Sequence, residues 1–583
     1  MAAVAALTGL VGLYGARVNR SSDFLAASQT VRPRLNAAAV SGEYICAASF
    51  LGVAGLVLKG GVDALWYPVG FTAGYVALLL FVAAPLRRSG AYSLPDFAEA
   101  RLGSVLLRRV STAFVVIIGW LYLVPQLQGA GLTVATVAGW PVWVGAAIVM
   151  VLVTFNIFTG WMHSITVVQA FQYWIKLTAL AVPVFVMLIY LTGEQPGFRD
   201  SLGSPAPPFF SQTTQVHVDT DVVLQVPATM LLEASGTVDG YPVVNAPVYW
   251  APGEHRVDKG TTLTFSASTP TPVIKGAPVR NNDWLRPMRH GGTSVLSIYS
   301  LIVALLLGTM GLPHVLGRYY ANPDGRAART TTLVVLGLLG LFYLFPTLSG
   351  VLARLYVPQL LVTGQTDAAV LLLPGAALSG WPADLLGGVI AAGAFAAFMS
   401  AATGLVTSIA GVLSTDALPG RLRGYRPATL VAWSVPLAFA LSVSKLDLAQ
   451  SVGLAFAVAA SSFCPLLMLG IWWRGLTDVG AAAGMLVGGG LAVITVLPAA
   501  FGVLPPGWQM VLAQPALFTV PLAFLTMVLV SRSTQDRVPE DVSRILLRMH
   551  APDRLGLSQD QAVARLGAAG VPARQRSGGK HRR

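Results

Sequence analysis

Apolar runs recur along the whole chain, at about 36–58, 66–86, 110–133, 141–160 and 164–193, and again at about 294–317, 330–353, 384–413, 428–444, 450–473, 479–501 and 513–530. Most approach or exceed the ~20 apolar residues that carry an α-helix across hydrocarbon. A shorter run, Met1–Ala16, brings the count to thirteen and is either a span or a re-entrant segment. No basic region precedes it, unlike a secretory signal. The polar segment 194–293 interrupts the series and holds too many prolines and glycines for a helix. Its runs Val216-His-Val-Asp-Thr and Thr261-Thr-Leu-Thr-Phe-Ser are strand-like, which predicts a small β-rich elaboration, the alternative being a loop without regular structure. After Ser531, Val542, Ile545, Leu546 and Met549 recur at helical spacing, and Ser558-Gln-Asp-Gln561 fits a capping box.

Composition agrees with this pattern. Apolar residues make up 55% of the 583 and charged residues 11%, against about 25% charged in a soluble domain. The chain reads as an all-α polytopic membrane protein. Its net charge of +13 reflects topology and not nucleic-acid binding. With the N-terminus outside, sixteen arginines fall in the short inner loops, against Lys59, Arg354 and Lys445 in the outer ones. Positive residues mark the cytoplasmic side, so the tail is expected in the cytoplasm, the segment 194–293 outside, and the protein in the plasma membrane. Cys46 and Cys464 lie in apolar runs and imply neither disulfide nor metal. The seven histidines fall in loops, tails or span ends, which argues against a membrane haem enzyme. There is no Walker-type loop.

Polar residues inside the runs are the candidate chemistry. Ser41-Gly-Glu-Tyr-Ile-Cys-Ala-Ala-Ser-Phe-Leu-Gly52 has the composition of a broken membrane helix, where unwound carbonyls are tolerated only if they line a cavity or hold an ion. Glu43 is either a functional carboxylate or a cap in the headgroup region. Lys176 follows Gln169 and Gln172 along one helical face, and either neutralises Glu43 or a substrate anion, or ties the bundle together. Ser400, Thr403 and Thr407 form a second polar stripe, either for a hard cation or bonded back to their own helix. Gly308-Thr-Met-Gly311-Leu-Pro-His314 marks a discontinuous helix or a proline kink with His314 and Arg318 as interfacial anchors. Gln126, in Leu121–Gly131, is a further candidate for a cavity wall.

Glu43–Gly52, Leu121–Gly131, Gly311–Asp324, Ala397–Asp416 and Val452–Ser461 resemble the solute:sodium symporter family, and within it the cation/acetate symporter or monocarboxylate permease branch. The likeness covers roughly residues 20 to 530 apart from the polar insertion. It implies a leucine-transporter-like core of two inverted five-helix repeats. The domains would be 1–35 (N-terminal helix and basic turn), 36–193 (first repeat), 194–293 (extracytoplasmic insertion), 294–473 (second repeat), 474–530 (two C-terminal helices) and 531–583 (cytoplasmic basic tail). It further implies sodium ligands at the Gly42, Ile45 and Ala397 carbonyls and the Ser400 hydroxyl. Ala401 stands where the family pattern has a second hydroxyl, so Thr403, Glu43 or water is expected to replace that oxygen, or a proton on Glu43 replaces sodium. The implied activity is uptake of a short-chain monocarboxylate such as acetate, propionate or pyruvate with sodium or a proton, in a cavity walled by Ala48, Ser49, Gln126 and the Gly308–Gly311 break. No other cofactor, no nucleic acid and no catalysis are expected. A sugar, proline or vitamin symporter, or a transporter-like sensor, is the alternative.

Overall fold

The computed structural model describes residues 31–159, 162–194, 206–287, 291–417, 424–442, 447–501 and 514–555. The run Met1–Ala16 and the capping box at 558–561 lie outside these residues. α1 (Pro33–Tyr44) stops in the middle of the bundle, and the chain continues through a π turn at Ala48–Gly52 into α2 (Val53–Gly60). There follow α3 (Trp66–Phe81), α4 (Ala83–Arg88), α5 (Leu94–Leu102), α6 (Val105–Ala138), α7 (Val142–Thr159) and α8 (Met162–Glu194). After a β insertion come α9 (Asn281–Trp284), α10 (Gly291–Thr309), α11 (Pro313–Tyr319), α12 (Gly325–Tyr356), α13 (Leu360–Thr363), α14 (Ala369–Ala377), α15 (Trp381–Val412), α16 (Tyr425–Ser442) and α17 (Leu448–Trp472). The last helices are α18 (Asp478–Gly484), α19 (Gly490–Phe501), α20 (Ala516–Ser533) and the amphipathic α21 (Val542–His550).

Among the described residues, nine helical stretches are long and apolar enough to cross a membrane. This is fewer than the thirteen runs of the sequence. One reason is that α1 and the stretch Ala48–Phe81 divide the apolar sequence differently: the latter counts as one 34-residue crossing although it contains two helices and a turn. α7 has the composition of a span but is shorter.

Side-chain caps set the helix starts at one end of the bundle. Ser93, Ser104, Asp324 and Thr477 each accept a backbone N–H of the first turn of α5, α6, α12 and α18, satisfying donors that a helix start leaves open. α8 and α15 pack along each other and against α1, α15 packs on α6 as well, and α10 lies between α3 and α17. The buried core is continuous through these contacts.

The insertion is an antiparallel sheet of seven strands, with β1 (Thr214–Val218), β2 (Val222–Val226), β3 (Met230–Val238), β4 (Tyr241–Trp250), β5 (Gly253–Val257), β6 (Thr261–Phe265) and β7 (Val273–Ile274). The order is β1-β6-β3-β5-β2-β7, with β4 on β3. The two runs that read as strands in the sequence pair with each other, Val216 opposite Leu263. Both side chains enter a separate core with Phe210, Phe265 and Trp250, which is closed by Val362 of α13. The sheet therefore caps the end of the bundle where α12 finishes. Its exit segment is fixed there: Arg354 donates to Asn281 Oδ1 (3.2 Å) and the Pro278 carbonyl (3.0 Å), and Trp284 Nε1 donates to the Val57 carbonyl of α2 (2.8 Å).

Candidate functional site

Two interrupted helices meet at mid-bundle. Past Tyr44 the backbone of Ile45 is extended (φ −72°, ψ 101°), so the last carbonyls of α1 have no helical N–H ahead of them. α10 ends at Thr309 and the chain restarts at Pro313, the first residue of α11. Pro at this position lacks only an N–H that would be unpaired anyway. Gly308 and Gly311 press on α17, where a Cβ on either would lie 2.5 Å from the carbonyl oxygen of Phe456 or Ala459. Glycine is required there for the close approach of the two helices.

Between the breaks lies a box of rings and neutral polar groups. The Ala47 N–H donates to Gln126 Oε1 (2.9 Å), and Gln126 Nε2 donates to the Tyr122 carbonyl (3.2 Å). Ser49 Oγ and the Tyr343 hydroxyl are 2.8 Å apart. The Tyr44 hydroxyl donates to the Phe71 carbonyl (3.1 Å). Phe71 stacks on Tyr343 (5.9 Å between centroids) and lies 5.2 Å from Phe456. Ala48, Ser49 and Gln126 are all buried here.

One helical turn away, Glu43 and Arg318 form an ion pair at 2.8 Å with both side chains only 2% exposed. Arg318 also donates to Thr166 Oγ1 (2.9 Å) and to Gln169 Oε1. Of the alternatives open for these residues, the ion-pair partner of Glu43 is thus Arg318 and not Lys176, and Arg318 is buried and not an interfacial anchor. An arginine can serve two helices at once because its planar fork holds several acceptors in fixed directions. The sequence offered one signal for Arg318, its position four residues after His314 in the discontinuous segment.

Lys176 is fully buried, and its ammonium donates to the Gly42 carbonyl, the Ile45 carbonyl (3.0 Å) and Ser400 Oγ. Ser400 Oγ in turn lies 2.6 Å from the Gly42 carbonyl and 3.3 Å from that of Ala397. The four oxygens that the resemblance assigns to sodium thus converge. Lys176 Nζ lies against three of them. Thr403 does not join it, since its hydroxyl donates to the Met399 carbonyl of its own helix (2.7 Å). Among the described residues no cluster of His, Cys, Asp and Glu is placed to hold a metal.

A cavity of about 150 Å³ reaches Glu43, His314, Arg318, Gly404 and Thr407 from the end of the bundle opposite the sheet. His314 is buried with both ring nitrogens unpartnered and its ring edge-on to Tyr122 (5.0 Å). Arg108 sits at the cavity mouth, 3.1 Å from Asp96 and 2.7 Å from Asp416. At the sheet end, Lys59 pairs with Asp447 (3.0 Å), and Asp367 Oδ2 accepts the Leu448 N–H (2.8 Å). Burial, and then the neighbouring Asp447 charge, push the Asp367 carboxyl up to about 7.

Two interrupted membrane helices meeting over a buried polar centre define a secondary carrier. The model of the sodium:solute symporter family matches residues 24–247 and 270–488, and the chain belongs to that family. It is 27% identical over 544 residues to the Bacillus subtilis (strain 168) protein named uncharacterized symporter YwcA, covering 90% of this chain and 91% of that one. It is also 27% identical over 580 residues to uncharacterized symporter H16_A2524 of Cupriavidus necator, covering 84% of each. Among solved structures, a Na+-coupled sialic acid symporter in a substrate-bound outward-open state superposes with a TM-score of 0.55 at 14% identity, over 90% of this chain and 96% of that one. The fold is that of this sialic acid symporter. The protein is a multi-pass membrane symporter, and its family takes its name from sodium as the coupling ion.

Proposed function

We propose that this symporter takes up a short-chain monocarboxylate, such as acetate, propionate or pyruvate, together with a cation, sodium or proton, by alternating access in the plasma membrane. The observation that carries the reading is the ring-walled box at the α1 break. Its polar groups are an amide, the hydroxyls of Ser49, Tyr343 and Tyr44, and the backbone N–H of Ala47, with no carboxylate among them to repel an anion. By exchanging Gln126 Oε1 for a substrate carboxylate, the Ala47 N–H would gain a charged acceptor, and Ser49 and Tyr343 would donate to the second oxygen. Helix starts favour negative charge. Rings whose centroids lie 5–6 Å apart leave little room for a bulky solute, which favours a small acid over a sugar. The family likeness in the Glu43–Gly52 and Gly311–Asp324 segments points the same way.

In this reading the two five-helix halves, 36–193 and 294–473, are the inverted repeats, and two C-terminal helices complete a thirteen-span chain with the tail in the cytoplasm. The cavity beside Glu43 is then the inward path. Entry of a cation with the anion offsets the cost of moving negative charge against a negative-inside potential. The test is uptake of radiolabelled acetate into proteoliposomes under an imposed inward sodium or proton gradient, with and without excess pyruvate or propionate. Accumulation that these acids suppress supports the reading. No accumulation under either gradient sinks it in favour of another solute or a sensor.

A further inference from the structure

We propose that Lys176 is this carrier's own site cation: its ammonium takes the place of a sodium ion among the Gly42, Ile45 and Ser400 oxygens, so that this cage does not fit sodium. The inference rests on the cage alone and is independent of the substrate reading.

The cage has the chemistry of a monovalent cation site. Two carbonyls are released by the break after Tyr44 and one hydroxyl comes from α15, with no carboxylate among the three. An ammonium has three N–H donors, and each of the three finds one of these oxygens. The donor count of Lys176 is therefore met without water or a counter-ion. Ser400 is itself fixed: Gln169 Nε2 donates to its carbonyl (3.0 Å), so the hydroxyl faces the cage from a braced backbone. A sodium ion admitted to these oxygens would sit against a buried like charge, and the two cations exclude each other.

The ammonium joins three elements that a carrier moves relative to one another: the end of α1, α8 and α15. The ionisable groups acting on it are few. α1 and the break after it contribute Glu43, already paired with Arg318 of α11, and the Cys46 thiol. α15 contributes Ser400 and carbonyls, and α14 has no ionisable side chain. α12 bears its charged residues only near its two ends, and its Tyr343 hydroxyl is engaged with Ser49. On α8 itself the Tyr173 hydroxyl turns away to the Leu338 carbonyl (3.0 Å).

The experiment uses the purified full-length protein in detergent and needs no substrate. Binding of radioactive sodium and the thermal midpoint are measured in sodium chloride and in choline chloride at neutral pH. The wild type is expected to show no saturable sodium binding and the same midpoint in both salts. K176A, with the ammonium removed, is expected to gain saturable sodium binding and a higher midpoint in sodium than in choline. Saturable sodium binding by the wild type overturns the proposal, and so does a K176A protein that folds but stays indifferent to sodium. If K176A does not fold, the wild-type measurement decides by itself. In proteoliposomes, acetate uptake is expected to survive replacement of sodium by choline. Absence of acetate uptake under every gradient removes the monocarboxylate reading but leaves the sodium-binding result standing.

Discussion

Replacing Arg318 with methionine removes the positive half of the Glu43–Arg318 pair while keeping most of the side-chain volume. Both partners are only 2% exposed, so the carboxylate left behind has no counter-ion at hydrogen-bond distance. Breaking a buried pair from one side costs about 3–5 kcal/mol. Gln169 Oε1 also loses its donor, at about 1 kcal/mol or more for a polar group left unpaired. Against a total stability of ~5–15 kcal/mol, R318M should fall among the least stable foldable variants. E43Q, which strands the guanidinium instead, should lose a similar amount. The E43Q/R318M double variant has no buried net charge at the site and should be more stable than the sum of the singles predicts, by about 3 kcal/mol. Denaturant titration of the four proteins in micelles, followed by tryptophan fluorescence, closes the cycle. Single losses below about 1 kcal/mol, or an additive double, would refute the claim that the pair is desolvated and mutually dependent.

Other perturbations test neighbouring features. A methyl group at Gly404 overlaps the Glu43 carboxylate, so G404A should cost about 1–3 kcal/mol by overpacking and slow uptake, read as a lower thermal midpoint and initial rate. Removing the hydroxyl that faces Ser49 in Y343F should weaken substrate binding by about 1 kcal/mol, roughly a fivefold rise in KM, with the fold intact by gel filtration. Asp367 carries a folded-state value near 7, above the ~3.9 of an unfolded aspartate. Its contribution is therefore full below about pH 4 and is lost as pH rises through about 7. D367N should abolish that part of the decline in a thermal-midpoint series against pH. A series that is unchanged in the variant would remove Asp367 as its source.

Much of the architecture was legible because membrane helices announce themselves by length and apolarity, and because their interruptions are local in sequence. The break after Tyr44 lies within the stretch whose glycines and glutamate mark it, and Pro313 restarts α11 just beyond Gly308 and Gly311. The strand character of 216–220 and 261–266 is likewise local. What the sequence hid is pairing at long range. Glu43 and Arg318 are 275 residues apart, and on pattern alone an arginine near a span end belongs to the interface. Lys176 was marked as a buried charge, yet two of its three partners are main-chain carbonyls, which leave no trace in side-chain patterning. Arg354, counted with an outer loop, is buried for the same reason: its acceptors are Asn281 and two backbone carbonyls, those of Leu58 and Pro278. The stripe Ser400, Thr403 and Thr407 shares a helical face, but only Ser400 reaches the cage, because Thr403 bonds back along α15 and Thr407 borders the cavity.

The sheet is bolted to the bundle through a short exit segment whose Trp284 and Asn281 hold the far ends of α2 and α12. It therefore works as an external handle on the very helix that follows the break at Tyr44. An antibody fragment that clamps the sheet to the bundle rim should act as a brake applied from the surface, slowing turnover while the solute path stays unobstructed. One that grips only the outward strand β4, with Tyr241, Val244 and Tyr249 exposed, should ride along and leave the rate unchanged.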